Sequence, residues 1–151
     1  MKRIVLAAPA LALAMVAGSA QAELVRKQSP HSVGETIDRL EVIVKAKGLT
    51  VFNRVDHAAG AKKVDQELRP TELIIFGSPA VGTPLMREQQ TLGLALPLKV
   101  LAWEDAEGKV WLAYEAPADM AAAHGLSRDN SVIKRIASTL DGFTNAAVVR
   151  K

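Results

Sequence analysis

The amino-acid sequence predicts an α+β fold: a single domain with a curved, mostly antiparallel sheet and helices packed on one face. Segments with helical periodicity are mixed with short runs rich in β-branched and aromatic residues. The clearest pair of such runs is joined by a tight hairpin turn at Asp105 to Gly108. Both faces of this hairpin are apolar, so we expect helices to cover one face and leave the other for a partner.

The first 22 residues have the pattern of a secretory signal peptide. Lys2 and Arg3 form a basic start, residues 4–16 are almost wholly apolar, and Ala20-Gln21-Ala22 supplies small side chains for cleavage. This apolar part is shorter than the roughly 20 residues that span a bilayer easily. We therefore expect an exported mature domain of residues 23–151, periplasmic or extracellular, without a transmembrane segment.

The composition of this mature part excludes several classes of function. Without the signal peptide the chain carries 17 Lys and Arg against 16 Asp and Glu. The two signs are interleaved, so the basic stripe that nucleic-acid binding uses is absent from the sequence. The chain has no cysteine, so disulfides, iron–sulfur clusters and thiol redox chemistry are not expected. No cofactor is predicted.

The first half of the mature chain predicts an extended start, two helices and two strands. Ser32, with Glu35 three positions later, forms a capping-box pattern before an apolar helical stripe that ends at Gly48. A strand is expected over residues 49–55, and Asp56 is expected to cap a short helix that begins at His57. The apolar run of residues 73–76 predicts a strand buried on both faces.

The second half predicts a helix, the hairpin and two more helices. A helix over residues 84–90 is followed by an apolar connector and by strands over 99–104 and 109–115. In the expected register Trp103 lies opposite Trp111. One face of the hairpin then carries the side chains that we predict as a dimer or partner surface: Leu101, Trp103 and Trp111. Short and long helices are expected over 117–124 and from Asn130 onward.

The segment "IFGSPAVGTPLM" (75–86) has two glycines at the spacing of a phosphate-binding loop. Gly77 and Gly82 fit that pattern, but Thr83 stands where the loop needs Lys, and Pro84 where it needs Ser or Thr. A nucleotide site is therefore excluded. Thr83 instead suits an N-cap and Pro84 the first helical position. A structural corner is the simpler interpretation, and the sharper one is a small anionic ligand held by free N–H groups at this helix start.

Three histidines and two mature methionines raise a copper hypothesis, but no two of them lie at helical spacing, so no local metal site is predicted. Asp56 next to His57 supports an alternative, a metal-handling protein or an enzyme that uses this pair, although capping by Asp56 is the favoured explanation. Ser78 lacks the sequence of a nucleophile elbow, so no catalytic residue is assigned.

Three ordered blocks resemble the domain of unknown function 302 family: "VFNRVDHAAGA" (51–61), "FGSPAVGTPLM" (76–86) and "LALPLKVLAWEDAEGKVWLAYEAP" (94–117). The resemblance spans about residues 29–149. It implies a compact α+β domain similar to half of a TATA-binding-protein-like fold, and a homodimer. It implies no catalytic residues. Ser78 stands where the family commonly has Asn, whereas the positions that match its pattern are Asp56, His57, Gly77, Gly82, Thr83 and Pro84.

Together these expectations describe an exported, non-catalytic homodimer that binds a small ligand or a partner. The ligand site is predicted at Asp56, His57, Gly77, Ser78, Gly82 and Thr83. An interaction module that uses only the Trp103 and Trp111 face is a third hypothesis.

Overall fold

The computed structural model describes residues 23–150, so the predicted signal peptide of residues 1–22 lies outside the described part of the chain. The strands are β1 (Leu24–Ser29), β2 (Thr50–Asp56), β3 (Thr71–Gly77), β4 (Leu98–Glu104) and β5 (Val110–Glu115). The helices are α1 (Val33–Ala46), α2 (His57–Lys62), α3 (Pro79–Glu88), α4 (Pro117–Ala123) and α5 (Ser131–Ala147), with a 3-10 helix over Gln90–Leu94.

The strands form one open antiparallel sheet in the order β1-β5-β4-β3-β2. The α+β class predicted from the sequence is confirmed. The β4–β5 hairpin has the predicted register, because Trp103 lies opposite Trp111 and Ala102 opposite Leu112. Gly108 takes a φ of +74° in the turn between them, a conformation that glycine adopts without steric cost.

Helices cover one face of the sheet and divide the buried side chains into two clusters. The first cluster packs α1 and α5 on the inward side chains of β3, β4 and β5, including Ile74, Val100 and Leu112. The second joins α3, the 3-10 helix and α4 to the beginning of α5, around Leu85 and Leu92. Helix α5 takes part in both clusters, so it connects them: Ile133 and Ile136 belong to the second, Leu140 and Phe143 to the first.

Local capping signals fix several helix ends as predicted. The Ser32 hydroxyl accepts a hydrogen bond from the Glu35 N–H at 3.3 Å, and the Asp56 carboxylate accepts one from the Ala59 N–H at 2.8 Å. Gly48 ends the α1 turn with a φ of +75°. Within residues 23–150, none of the helices combines the length and the apolar character that crossing a membrane requires.

The helix after β3 corrects the sequence prediction, because it begins after Ser78 and not after Thr83. Pro79 occupies the first turn, and Pro84 lies inside the helix. Ser78-Pro79 and Thr83-Pro84 are equivalent cap-and-proline signals, so local sequence does not choose between them. The earlier start brings Val81 into contact with the second cluster, where Leu85 is fully buried, and this packing outweighs the hydrogen bond that Pro84 cannot donate.

Strand β3 is the second correction, because only one of its faces is buried. Ile74 and Phe76 are fully buried under the helices, whereas Leu73 and Ile75 are half-buried on the opposite face. The continuous apolar run therefore marks a central strand of a sheet with one uncovered face. We call this uncovered side, which also carries Leu101, Trp103 and Trp111, the open face.

Candidate functional site

A cavity of about 400 Å³ opens between α3 and α5 at the end of β3. Its floor lies where the two buried clusters meet, since Ile136 of the second cluster and Leu140 and Phe143 of the first all line it. The turn from α1 into β2 and the segment that leads into β4 complete the walls. Cavities of this size accept small organic molecules. We call it the α3–α5 cavity.

Four of the predicted ligand-binding residues lie in the wall of this cavity: Gly77, Ser78, Gly82 and Thr83. A Cβ atom at Gly77 would lie 3.5 Å from Pro97, and one at Gly82 would lie 3.5 Å from the Leu96 side chain. These are ordinary contact distances, so alanine fits at either position. A longer side chain at Gly82 would displace Leu96 or enter the cavity.

The polar groups of the cavity are few and carry positive charge only. Lys47, after α1, and Arg135, on α5, line it together with the hydroxyls of Ser78, Thr83 and Thr139. No Asp or Glu is among the lining residues. Neither Lys47 nor Arg135 forms an ion pair with another residue of the described range 23–150. The site therefore combines apolar walls with two cations that lack a protein counter-ion.

The beginning of α3 offers fewer hydrogen-bond donors than a typical helix start. Pro79 has no N–H, and the N–H groups of Val81 and Gly82 both donate to the Ser78 carbonyl oxygen, at 3.0 and 2.9 Å. The free backbone donors expected around Thr83 are therefore not present there, because Thr83 lies in the middle of the helix. Positive charge at this site comes from Lys47 and Arg135.

Asp56 and His57, the other two predicted ligand-binding residues, lie at the far end of the β2–β3 pair. Gly77 pairs with Thr50, whereas Asp56 pairs with Glu72, and six residues of strand separate these ends by about 20 Å. Both side chains are exposed, and the Asp56 carboxylate caps α2. Residues 23–150 contain no group of three His, Cys, Asp or Glu that could hold a metal ion, so the alternative based on this pair gains no support.

Lys47, Arg135 and Thr139 were not predicted as site residues, because they come from elements remote from the glycine segment. One weak signal was present in the sequence. The neighbours of Arg135 at three and four positions are Ser131, Val132, Ser138 and Thr139, so no acidic residue on α5 is placed to pair with it. Lys47 likewise has Ile43 and Val44 at the preceding positions of this spacing.

The open face holds the residues predicted as a dimer or partner surface. Leu101, Trp103 and Trp111 are all partly buried there. The Trp111 indole N–H donates to the Asp105 carboxylate at 2.7 Å and, as its main cause, lowers the pKa of that carboxyl. A cleft of about 780 Å³ on this face is also lined by large exposed side chains, Leu24 and Leu68 at 48% and Leu94 at 81%.

Comparison with known proteins places this fold in a family. The model of the family described as "Domain of unknown function DUF302" matches residues 25–146. The chain belongs to the DUF302 family. A crystal structure of an uncharacterized conserved DUF302 protein from Bacillus stearothermophilus shares the fold, with a TM-score of 0.66, 17% identity, and coverage of 83% of this chain and 94% of that one.

Curated relatives of this DUF302 domain include longer proteins from Brucella. The "Fluoride-specific ion channel FluC 1" of Brucella suis biovar 1 (strain 1330) is 51% identical over 118 residues, which cover 77% of this chain and 46% of that protein. The "Fluoride-specific ion channel FluC 2" of Brucella melitensis biotype 1 is also 51% identical over 118 residues, with 44% of its length covered. This chain thus spans less than half the length of these relatives.

Proposed function

We propose that this DUF302 domain is an exported, non-catalytic module that binds a small, largely apolar ligand in the α3–α5 cavity and acts as a homodimer. The observation that carries the ligand proposal is the cavity itself, about 400 Å³ in volume and lined mainly by apolar side chains from both buried clusters. Small-molecule sites are concave and mostly apolar with a few polar groups, and this cavity has the same character.

A neutral fluorescent probe, N-phenyl-1-naphthylamine, tests this proposal without reference to charge. We expect its fluorescence to rise on binding and to saturate at one probe per chain. The variant Gly82→Leu should abolish this signal, because the new side chain would occupy the cavity. Gly34→Leu is the matched control, since Gly34 also lies in a helix and a Cβ atom added there would have no neighbour within 4 Å.

Loss of probe binding in both variants would point to a general effect of the substitution, and binding retained in Gly82→Leu would place the probe elsewhere. Either result contradicts the proposal. Thermal unfolding of each variant shows whether it is folded, and leucine in place of a helical glycine should not lower helix stability. Absence of any probe signal from the wild-type domain would also contradict it.

The open face supports the dimer part of the proposal. Its apolar side chains are contiguous, as expected for a contact surface, and charged residues of both signs, including Arg26, Lys99 and Glu115, stand around the same cleft. Self-association about a twofold axis would bury two copies of this face at once. Opposite charges at its edge are available to pair across that axis.

Sedimentation of residues 23–151 tests the dimer. Wild-type protein should sediment with twice the chain mass at micromolar concentration, and Trp103→Asp and Leu94→Asp should shift it towards the monomer, because each places a charge in the contact. Val42→Asp is the control, since Val42 is 68% exposed on α1, away from the open face. A monomeric wild type, or an equal shift in the control, would refute the dimer.

The names of the Brucella relatives favour a second candidate function, an accessory domain for an ion channel. Nearly half of each of those channel proteins matches this chain. We would measure fluoride efflux from liposomes that contain such a channel, before and after removal of its matched segment, and after adding this domain in its place. A change on removal that this domain restores supports the accessory role, and an unchanged efflux rate refutes it.

A further inference from the structure

Some of the cations of this domain are paired with acidic side chains. Lys27, Lys45, Arg54, Arg128 and Lys134 each contact a carboxylate. Lys47 and Arg135 both line the α3–α5 cavity, neither has an ion-pair partner among residues 23–150, and no carboxylate lines the cavity. A cavity with this charge attracts an anionic group and repels a cationic one.

The walls beside these cations are apolar. Phe76 and Leu140 form buried parts of the lining, Met86 and Leu96 are half-buried in it, and Phe52, 51% exposed, stands at its edge. Such a lining stabilises a hydrocarbon or aromatic body by removing it from water. The ligand must therefore present an apolar surface over most of its length and a negative charge at one end.

We propose that the ligand of the α3–α5 cavity is a small amphiphilic carboxylate, with its apolar body between α3 and α5 and its carboxylate at Arg135 and Lys47. This inference rests on the proposed ligand-binding function and specifies the ligand class. A guanidinium binds a carboxylate through two parallel hydrogen bonds, and the Lys47 ammonium adds a second positive charge to the same cavity.

A phosphate ester or nucleotide fits this site less well than a carboxylate. Tight phosphate sites use several backbone N–H groups at a helix start, but here Pro79 has none and those of Val81 and Gly82 are used by the Ser78 carbonyl oxygen. The remaining neutral donors are hydroxyls, at Ser78, Thr83 and Thr139. The guanidinium of Arg135 alone supplies two donors for the two oxygens of a carboxylate, whereas the three oxygens of a phosphate ester would lack the fixed backbone donors that tight phosphate sites use.

Three probes with the same eight-carbon chain test the charge requirement: octanoate, 1-octanol and octylamine. Each would compete with N-phenyl-1-naphthylamine for the wild-type domain, and isothermal titration calorimetry would give the dissociation constants. We expect octanoate to bind about five- to fifty-fold more tightly than octanol, because its carboxylate forms hydrogen bonds to Arg135 and Lys47, whose charges are partly screened by water. Octylamine should bind more weakly than octanol, and raising the salt concentration should weaken only octanoate.

The variant Arg135→Gln should lower octanoate affinity about three- to tenfold and leave octanol unchanged, and Lys47→Gln should act in the same direction. Arg87→Gln is the matched control, because Arg87 is an exposed arginine of α3 that does not line the cavity. It loses the same charge but should leave both affinities as they are.

The outcomes distinguish the carboxylate assignment from the ligand-binding function on which it rests. If the neutral probe and octanol bind but octanoate binds no better, or if Arg135→Gln and Arg87→Gln weaken octanoate equally, the carboxylate assignment is wrong and the ligand-binding proposal stands. If neither the neutral probe nor any of the three eight-carbon compounds binds, the proposed function fails and the inference fails with it.

Discussion

Replacement of Arg54 by Met should destabilise the domain strongly for a change at a partly exposed position. Arg54 of β2 bonds Glu72 of β3 at 2.7 Å and two residues of α1, Asp38 at 2.7 Å and Glu41 at 2.8 Å. It therefore ties the edge strand β2 to both the sheet and α1. The turn that precedes β2 carries Lys47, so this network also holds one wall of the α3–α5 cavity.

The size of the effect follows from the exposure of the partners. The Glu72 and Glu41 side chains are only 14% and 19% exposed, whereas Asp38 is 66% exposed and contributes little. Hydrogen bonds to charged groups contribute about 1.5–3 kcal/mol each when buried, and the 30% exposure of Arg54 reduces this by screening. We expect a loss of about 2 kcal/mol in the free energy of unfolding, or about 6–10 °C in Tm for a domain of this length.

The pH dependence of this loss gives a second readout. Hydrogen bonds from Lys45 and then from Arg54 hold the pKa of Glu41 below its ordinary value of 4.5. A lowered pKa in the folded state means that the pair stabilises the protein above that ordinary value, and that this contribution disappears as the pH falls through the lowered pKa. The difference between wild type and Arg54→Met should therefore be full at pH 7 and shrink in acid.

Urea unfolding of both proteins between pH 7 and pH 3 measures this difference. Lys134→Gln serves as the control, because it breaks an ion pair whose two side chains are 62% and 85% exposed. Its free energy of unfolding should match that of the wild type. If Arg54→Met has the same free energy of unfolding as the wild type, or if the difference between them stays constant as the pH falls, the assigned role of this network is wrong.

Three further substitutions test other features of the fold. Asp56→Ala should lower the free energy of unfolding by about 1 kcal/mol, since it removes the hydrogen bond that caps α2 at the Ala59 N–H. It should leave probe binding unchanged, and weaker binding would show that Asp56 contributes to the ligand site. Pro84→Ala should stabilise the protein by about 1–3 kcal/mol in urea unfolding, because it supplies a missing N–H inside α3, and no gain would contradict the helix start at Ser78. Gly82→Ala should add about 0.5–1 kcal/mol to the free energy of unfolding, because alanine suits a helix interior better than glycine and its Cβ would meet Leu96 at an ordinary 3.5 Å. A lower free energy of unfolding would show that the backbone needs glycine there.

The sequence predicted those elements whose signals are local. The cap at Ser32, the positive φ of Gly48 and Gly108, and the opposition of Trp103 and Trp111 each depend on a few adjacent residues, and each is confirmed. The start of α3 could not be predicted in this way. Two equivalent cap-and-proline pairs compete there, and the burial of Leu85 against residues distant in the sequence decides between them.

The candidate site was predictable only in part for the same reason. Its glycine-containing wall is one continuous segment, so the sequence identified Gly77 and Gly82. Its charge comes from Arg135 of α5 and Lys47 of the α1–β2 turn, which the packing of α1 against α5 brings to one cavity. His57 was grouped with the glycines because all of them match the family pattern, but in the antiparallel β2–β3 pair the end of β2 lies beside the start of β3 and far from Gly77.

Helix α3 forms one wall of the cavity despite an unfavourable local sequence. Glycine and proline are the two residues least suited to a helix interior, and α3 contains both, at Gly82 and Pro84. Contacts in the protein do not require glycine at position 82, since a Cβ there would meet Leu96 and Met86 at ordinary distances. What glycine preserves is the empty volume beside it. Proteins tend to break local rules of stability where function needs it. Gly82 lines the α3–α5 cavity and Pro84 does not, so it is the cost at Gly82 that the proposed ligand explains.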